Sequence, residues 1–338
     1  MAVIRATEVS YGSDVDGLVW GYQFAPDRAP VVINGETAAR WLRTPAPPGE
    51  FIWLHFSLSN TASERWMRDK LELSEEFYES LHESVGSTRL EQQDDALLSV
   101  IHDAMFNTSF DAGSISTATI WIAPRLVVSA RLRPLRSMDR LRAAVKSGQP
   151  LYSAAELLAQ LLREQAAVLV DIVRDSTARV DDVEDMLLDN RVASSRAEMS
   201  AQRRSLVRLQ RLLAPEPAAL FRLLNRPPAW LSEDDVQALR HAAEEFSVAV
   251  ADSAALTERL KLLQEELAAM VNEHTNRTLF ILTLVTVLAL PINLVAGLLG
   301  MNVGGIPFAQ HTHGFELVVT GLALVTGLLA WLMFLRRE

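Results

Sequence analysis

Polar residues in the C-terminal quarter of the chain recur at the spacing of one face of a helix. Thr283, Thr286, Leu290, Asn293 and Gly297 follow one another in steps of three and four, within a run that is otherwise almost entirely apolar. Hydroxyl and amide oxygens along one face can replace part of the water that surrounds a metal cation. Because these groups are costly where they contact hydrocarbon, the pattern predicts a face that lines a polar path.

The same stripe continues towards the N-terminus and becomes acidic. It passes Leu279 and Asn276 and then reaches Glu265 and Glu258, whose carboxylates would attract cations by charge. The two glutamates are therefore candidate metal-binding residues at the cytoplasmic end of the path. The predicted pore-lining set is Asn276, Leu279, Thr283, Thr286, Leu290, Asn293 and Gly297.

A simpler interpretation of the stripe stays open. The hydroxyls of Thr283 and Thr286 could donate hydrogen bonds to carbonyls of their own helix, and the glutamates could be solvated. Asn293 is the stronger candidate for a functional role, because its amide group needs hydrogen-bond partners wherever it lies.

A second group of candidate residues follows the stripe directly. Gly300, Met301 and Asn302 end the first apolar run, and the loop behind them contains His311 and His313 but no acidic residue. Imidazole is a ligand that suits zinc, so both histidines are candidate metal ligands. The alternative is that they are exposed to solvent and bind nothing.

Two long apolar runs must position these residues. The runs, residues 279–299 and 315–335, are each long enough at about 1.5 Å per residue to cross the roughly 30 Å hydrocarbon core of a bilayer. Glu316 is the only charged residue from Leu279 to Leu335, and Pro291 inside the first run is tolerated in membrane helices. Two transmembrane helices are predicted. Two buried helices of a soluble core are disfavoured, since the runs adjoin and both reach spanning length.

Charges beside the two runs predict how the chain is oriented. Arg277 precedes the first run, Arg336 and Arg337 follow the second, and residues 300–314 contain no lysine or arginine. The positive-inside rule then places both termini in the cytoplasm and the short loop outside. Two helices cannot enclose a polar path, so several copies must surround an axis. Small residues at positions 296, 297, 300, 321 and 327 would allow close helix packing.

The residues ahead of the first run predict a large cytoplasmic part. Residues 1–150 have the pattern of an α/β domain with a mixed sheet, with strands at 19–24, 51–56, 96–106 and 117–130 and helices at 37–43, 63–71 and 75–83. Residues 151–231 form a helical region with helices at 153–190 and 194–213, after which prolines at 215, 217, 227 and 228 break the chain. Residues 232–300 predict one stalk helix, on the order of 100 Å long, that continues into the first span. The outer loop is 301–314 and the second span 315–335.

The helix predicted at 153–190 becomes acidic in its second half, from Asp171 to Asp189. A solvated face explains such a run simply. The alternative is a cytoplasmic surface that binds cations.

Composition excludes several other classes of function. The net charge of −10 over 338 residues disfavours nucleic acid as a partner, and the absence of cysteine excludes disulfides and thiolate zinc sites. We find no signal peptide at the N-terminus. No glycine-rich phosphate loop and no nucleophile elbow occurs, so neither an enzyme nor an ATP-driven pump is expected.

Gly300-Met301-Asn302 at the outer end of the first span completes a larger pattern. Together with two C-terminal spans, a short outer loop, a long stalk helix and an α/β cytoplasmic domain, it resembles the CorA family of divalent metal cation transporters. By architecture the resemblance covers essentially the whole chain. It implies a funnel-shaped homopentamer in the bacterial inner membrane, with a pore lined by the first span. It also implies that Asn302 binds a hydrated cation at the outer mouth, where Gly300 and Met301 shape the turn.

The loop after this motif departs from that of the magnesium-transporting members, which usually continue with Met-Pro-Glu-Leu. Residues 303–308 read VGGIPF, which is similar to the ZntB branch of zinc transporters. The resemblance implies Zn2+ as the transported substrate, no cofactor, and further copies of the chain, membrane lipid and divalent cations as partners. Transport of Mg2+, Co2+ or Ni2+ is the alternative. A membrane-anchored sensor or scaffold is the third hypothesis.

Overall fold

The computed structural model describes residues 12–45, 47–82, 88–104, 115–188, 195–301, 306 and 312–335. The chain divides into two compact units, Met1–Leu263 and Gln264–Glu338. The first unit contains the sheet and most of the helices, and the second contains the upper part of the longest helix and the last one.

A mixed sheet lies at the centre of the first unit, as predicted. Its described strands follow the order β2-β1-β3-β7-β6-β5-β4, in which β3 and β7 are parallel and the other neighbours antiparallel. Every residue of β3 and β7 is buried, as expected for strands covered on both faces. The strands are β1 (Leu18–Ala25), β2 (Arg28–Val32), β3 (Phe51–Ser57), β4 (Arg89–Gln93), β5 (Ala96–Ala104), β6 (Ile115–Ala123) and β7 (Leu126–Arg131).

Helices cover both faces of this sheet. The described helices are α1 (Gly35–Leu42), α2 (Ala62–Lys70), α3 (Glu75–His82), α4 (Arg136–Lys146), α5 (Ala154–Leu188), α6 (Ser195–Leu213), α7 (Pro215–Leu224), α8 (Glu233–Leu299) and α9 (Gly314–Leu335). Leu54 and Phe56 of β3 share an apolar core with Trp66, Met67 and Phe77 of α2 and α3. Successive strand side chains point to opposite faces, so Trp53 and His55 of β3 lie on the other face.

Two predictions about turns were wrong. The strand predicted at 117–130 is two strands, β6 and β7, joined by a tight turn at Pro124 and Arg125. Proline has no amide hydrogen for a sheet ladder, so it ends β6 there. Pro215 and Pro217 do not break the chain but begin α7, because the first turn of a helix needs no amide donor. Strands β2 and β4 and helix α4 were not predicted.

The other predicted elements agree with the structure to within about two residues, apart from ends that lie outside the described residues. These ends are positions 83, 106, 190 and 194. Agreement is best for α8, whose observed bounds, Glu233–Leu299, differ from the predicted 232–300 by one residue at each end.

The long helix α8 starts with a well-formed cap. The Ser232 hydroxyl accepts the Asp235 amide at 3.1 Å, and the Asp235 carboxylate accepts the Ser232 amide at 3.0 Å. This reciprocal pattern satisfies amides that a helix start leaves without partners. Asp235 also accepts a short hydrogen bond from the Ser153 hydroxyl at the start of α5, so the beginnings of both helices are joined.

Among the residues that the structure describes, two helices are long and apolar enough to cross a membrane. They are α8, through its C-terminal part, and α9, and none of either apolar window is buried inside the chain. Exposed leucines, isoleucines and valines cover both windows, among them Leu282, Val285, Leu324 and Leu328. An apolar surface of this kind is stable in lipid and unstable in water.

Candidate ion pathway

The seven predicted pore-lining residues lie on one side of the upper part of α8, and every one is exposed in the single chain. Leu279 is 54% exposed and Leu290 66% exposed. The half-buried residues of this segment, among them Leu284, Val287 and Pro291, lie on a different side of the helix. A single copy of the chain therefore leaves the polar stripe uncovered.

The threonine hydroxyls of the stripe bond to their own helix. Thr283 Oγ donates to the Leu279 carbonyl and Thr286 Oγ to the Leu282 carbonyl, each at 2.8 Å. This is the simpler arrangement considered from the sequence. A hydroxyl that donates its hydrogen keeps two lone pairs, so both oxygens can still face a cation.

Asn293 differs from the two threonines. Its amide makes no side-chain hydrogen bond to the part of the chain that the structure describes. An unpaired amide is costly in a membrane, since no water replaces the missing partner. Inside a membrane, a water-filled path, an ion or another subunit beside the residue would supply such a partner.

The acidic continuation of the stripe is exposed as well. Glu258 and Glu265 both face solvent, and Glu258 forms an ion pair with Lys261 at 2.9 Å. Within the described residues, no group of three or more histidine or acidic side chains is placed to hold a metal ion. Carboxylate ligands at this level would have to come from several copies of the chain.

The outer end of the stripe is described only in part. The Gly300 amide donates to the Ala296 carbonyl at 3.0 Å, and the Met301 side chain is 49% exposed. Asn302 and His311 lie outside the described residues. The His313 ring is exposed, and its Nδ1 lies 3.2 Å from a carboxylate oxygen of Glu316.

Arginines neutralise much of the acidic half of α5. Asp171 pairs with Arg140 at 2.6 Å. Glu184 binds the Arg259 guanidinium through both carboxylate oxygens, at 3.0 and 2.6 Å, and Asp181 binds it at 2.7 Å. The hydrogen bonds that Arg259 donates to Glu184 and then to Asp181 raise its pKa. Three of the acidic residues in this half of α5, Asp171, Asp181 and Glu184, are thus paired with arginines.

Comparison with known proteins shows which family has this architecture. Residues 48–337, most of the chain, match the family described as CorA-like Mg2+ transporter protein. The chain belongs to the CorA family. Its members are transporters of divalent cations, which favours transport over the sensor or scaffold hypothesis and over an enzyme.

Two relatives bear on the choice of ion. The divalent cation transporter CmaX of Pseudomonas aeruginosa is 29% identical over 315 residues, which cover 90% of this chain and 91% of CmaX. The zinc transport protein ZntB of Pectobacterium atrosepticum is 23% identical over 279 residues, which cover 82% of this chain and 85% of ZntB. The chain is therefore similar to CorA-family proteins of both names.

Solved structures confirm the fold. The structure of full-length CmaX has a TM-score of 0.79 at 26% identity, and it covers 96% of this chain and 98% of CmaX. The structure of the CorA magnesium transporter from Methanocaldococcus jannaschii has a TM-score of 0.75 at 17% identity. The match covers 92% of this chain and 96% of that transporter. The α/β domain, the long helix and the two apolar C-terminal helices are thus the architecture of CorA-family transporters.

Sequence reasoning missed three partners of the predicted residues. Lys261 and Glu316 each lie three residues from the side chain they pair with, so helical spacing could have indicated both. Arg259 pairs with residues 75 and 78 positions away on α5. No local pattern identifies such a partner, because the pairing depends on how the two helices pack.

Proposed function

We propose that the chain transports Zn2+ across the bacterial inner membrane as a homopentamer. The first span of each subunit lines the pore with Asn276, Leu279, Thr283, Thr286, Leu290, Asn293 and Gly297. Both termini lie in the cytoplasm. The outer mouth is formed by Gly300, Met301 and Asn302.

The uncovered polar stripe of α8 carries this proposal. A residue such as Asn293 is not stable against acyl chains, yet its side chain is exposed in the part of the chain that the structure describes. Five copies of α8 around one axis would turn the stripes inward and leave the apolar sides to other helices and to lipid. Rings of amide and hydroxyl oxygens then follow each other along the axis and replace water lost by a partly dehydrated cation.

Rings of charge at the cytoplasmic end favour cations. Glu258 and Glu265 supply one carboxylate each per subunit, and Lys261 offsets part of the charge at Glu258. We therefore assign the stronger attraction to Glu265. Asn302 meets the hydrated cation at the opposite, outer end, and His311 and His313 are additional candidate zinc ligands there.

The choice of zinc rests on the loop and on the relatives. The loop contains two histidines and no acid from 302 to 314, so its ligands are nitrogen and neutral oxygen, which suit Zn2+ better than Mg2+. Relatives named as zinc transport proteins align with 82% or more of the chain. Both observations favour zinc.

Zinc flux into proteoliposomes tests the proposal directly. Purified full-length protein is reconstituted around a zinc-sensitive dye, and uptake is compared with that of empty liposomes and of the Asn302→Ala variant. We expect uptake by the parent, faster when an inside-negative potential is imposed, since about 2.3 kcal/mol per charge per 100 mV assists entry. Uptake no faster than in empty liposomes, with the oligomer intact, would contradict the proposal.

A second candidate is transport of Mg2+, Co2+ or Ni2+. It is favoured by CmaX, the more similar of the two relatives, whose name specifies only a divalent cation. Competition decides between the two. Excess Mg2+ should leave zinc uptake almost unchanged if zinc is the substrate, and should block it if the pore is built for the harder ion.

A further inference from the structure

A carboxyl group is buried in the cytoplasmic unit, far along the chain from the polar stripe. Glu216, in the first turn of α7, is only 4% exposed. One carboxyl oxygen accepts the backbone amide of His102 on β5 at 2.9 Å, and the other accepts the side-chain amide of Gln165 on α5 at 3.1 Å. Gln165 also donates to the His102 carbonyl at 2.9 Å. One carboxyl group thus joins α7 to the sheet and to α5.

Thr88, next to β4, extends this junction to α6. Its hydroxyl donates to the Leu212 carbonyl at 2.8 Å and lies 3.5 Å from Glu216. The same hydroxyl lies 3.1 Å from Nδ1 of His102, a fully buried ring. The end of α6 and the start of α7 are therefore held to the sheet by one small polar cluster.

A small cavity adjoins the carboxyl group. Glu216, Thr88, Ser99 and Leu158 are among the residues that line it, and it has room for about one water molecule. Burial raises the pKa of Glu216 to about 8, although the bonds from His102 and Gln165 act in the opposite direction. At neutral pH the group is thus mainly a neutral acid with a water-sized space beside it.

We propose that Glu216 is a proton-operated latch, which holds α6 and α7 against the sheet while its carboxyl group is neutral and releases them when it ionises. A neutral carboxyl group costs less to bury than a carboxylate does. A carboxylate at the same place accepts hydrogen bonds from two N–H donors, but it loses its hydration. A buried charge without a charged partner is strongly unfavourable. Ionisation therefore favours an opened junction in which water enters through the cavity.

The ring of His102 is the nearest group that could carry a positive charge: its Nδ1 lies 4.0 Å from a carboxyl oxygen of Glu216, and it is charged only when protonated. A neutral ring supplies no counter-charge to the carboxylate. Asp103, whose pKa burial raises to about 6, becomes negative before Glu216 does and so opposes its ionisation. Arg89 lines the same cavity and is itself paired with Glu91 at 3.5 Å. The groups that face the latch are His102 and Asp103 of β5, Arg89 of β4, the uncharged Gln165 of α5 and the Leu212 carbonyl of α6.

The position of the latch links it to the stalk helix. Only residues 225–232 separate the end of α7 from the start of α8. The start of α8 is in turn bonded to the start of α5 through Asp235 and Ser153. A displacement of α7 is therefore transmitted over eight residues or fewer to the first turn of α8.

Infrared spectroscopy of the full-length protein tests the protonation. We expect the C=O stretch of a buried carboxylic acid at pH 7, its loss as the pH rises through about 8, and its absence at every pH above 7 from Glu216→Gln. The Asp103 acid is already ionised over that range, and Glu36→Gln, on an exposed site, serves as the matched control. Absence of the band from the parent at pH 7 would overturn the latch.

A second variant keeps the test decisive if Glu216→Gln folds poorly. Gln165→Leu removes a donor that favours the charged form but leaves the acid in place. The infrared midpoint should therefore move to higher pH. A midpoint unchanged from that of the parent contradicts the geometry on which the latch depends.

Opening is measured by pulsed EPR, for which a chain without cysteine is well suited. Spin labels at Ala218→Cys on α7 and Gln92→Cys on β4 occupy exposed positions. We expect a narrow distance distribution at pH 6.5 and a broader, longer one at pH 9, with no such change when Glu216→Gln is added. Identical distributions at both pH values in the parent would refute the latch.

The consequence for transport rests on the proposed function and is measured separately. Zinc uptake is recorded while the pH on the cytoplasmic side is varied from 6.5 to 9, in the parent and in Glu216→Gln. A pH response that Glu216→Gln abolishes supports coupling of the latch to the pore. If zinc uptake by the parent does not change with pH, the coupling of the latch to the pore is wrong. If there is no uptake at any pH, the proposed function is wrong. The infrared and EPR experiments test the latch independently of transport.

Discussion

The two parts of the continuous helix α8 differ in how much of their surface the rest of the chain buries. From Glu233 to Leu263 the helix buries one side, on which Leu239, Phe246 and Leu260 are fully buried, and its polar groups pair with α5. From Gln264 onwards the polar stripe of the same helix is uncovered. The lower part packs against its own chain, whereas the upper part exposes an apolar surface together with the polar stripe. One helix thus combines a packed segment with a segment that the described part of its own chain leaves exposed.

The largest effect should come from the packed segment. Phe246→Ala removes a large, fully buried side chain, and such changes typically cost about 3–5 kcal/mol of unfolding free energy. Leu290→Ala, on the exposed part, is the matched variant and should leave the denaturation midpoint of the first unit, Met1–Leu263, almost unchanged. Tryptophan fluorescence during denaturant titration of the full-length protein measures both. Equal midpoints for the two variants would remove the distinction between the two parts.

Transport should respond in the reverse order. Asn293→Leu removes the amide oxygen proposed to meet the cation, and hydrogen bonds or contacts to charged groups are worth about 1.5–3 kcal/mol, so zinc uptake should fall on the order of 10- to 100-fold. Ile292→Ala, one position along but on another side of the helix, is the control. If Ile292→Ala reduces uptake as much as Asn293→Leu, the stripe does not line the path.

A smaller effect is expected where the packed segment ends. Arg259→Gln leaves Asp181 and Glu184 without their cation, but all three side chains are more than a third exposed, so water and salt screen the interaction. We expect a loss of about 1 kcal/mol in unfolding free energy at low salt and less at high salt. Lys261→Gln, which disturbs only the pair with Glu258, is the comparison variant. If Arg259→Gln lowers the unfolding free energy equally at low and high salt, packing and not charge holds α5 and α8 together there.

The same comparison explains what the sequence could predict. Hydrophobic period and length predicted the ends of α8 and α9 to within one residue, because those signals are local and long. The stripe was predicted from spacing alone, and its role as the lining of a path stays a prediction. The pairing of Arg259 with α5, the junction at Glu216 and the turn that divides β6 from β7 were all missed. The first two join residues from distant parts of the chain, and the β-branched residues on both sides of Pro124 make β6 and β7 resemble one long strand.

The smallest effect on zinc uptake is expected when one threonine hydroxyl is removed. This change tests whether the hydroxyl only bonds to its own helix or also contacts the cation. Thr283→Val is nearly isosteric and removes a hydroxyl that donates to its own helix at Leu279, so the helix should stay intact. Thr278→Val removes an equivalent bond, to the His274 carbonyl at 3.0 Å, on a side of the helix away from the stripe. If the Thr283 oxygen faces the cation, its loss should slow zinc uptake a few-fold, less than Asn293→Leu because water can fill the vacated space, while Thr278→Val should have no effect. If both variants slow uptake equally, the hydroxyls act through the helix backbone. Of the proposed polar contacts to the cation, only Asn293 and the residues at the two ends of the path would then remain.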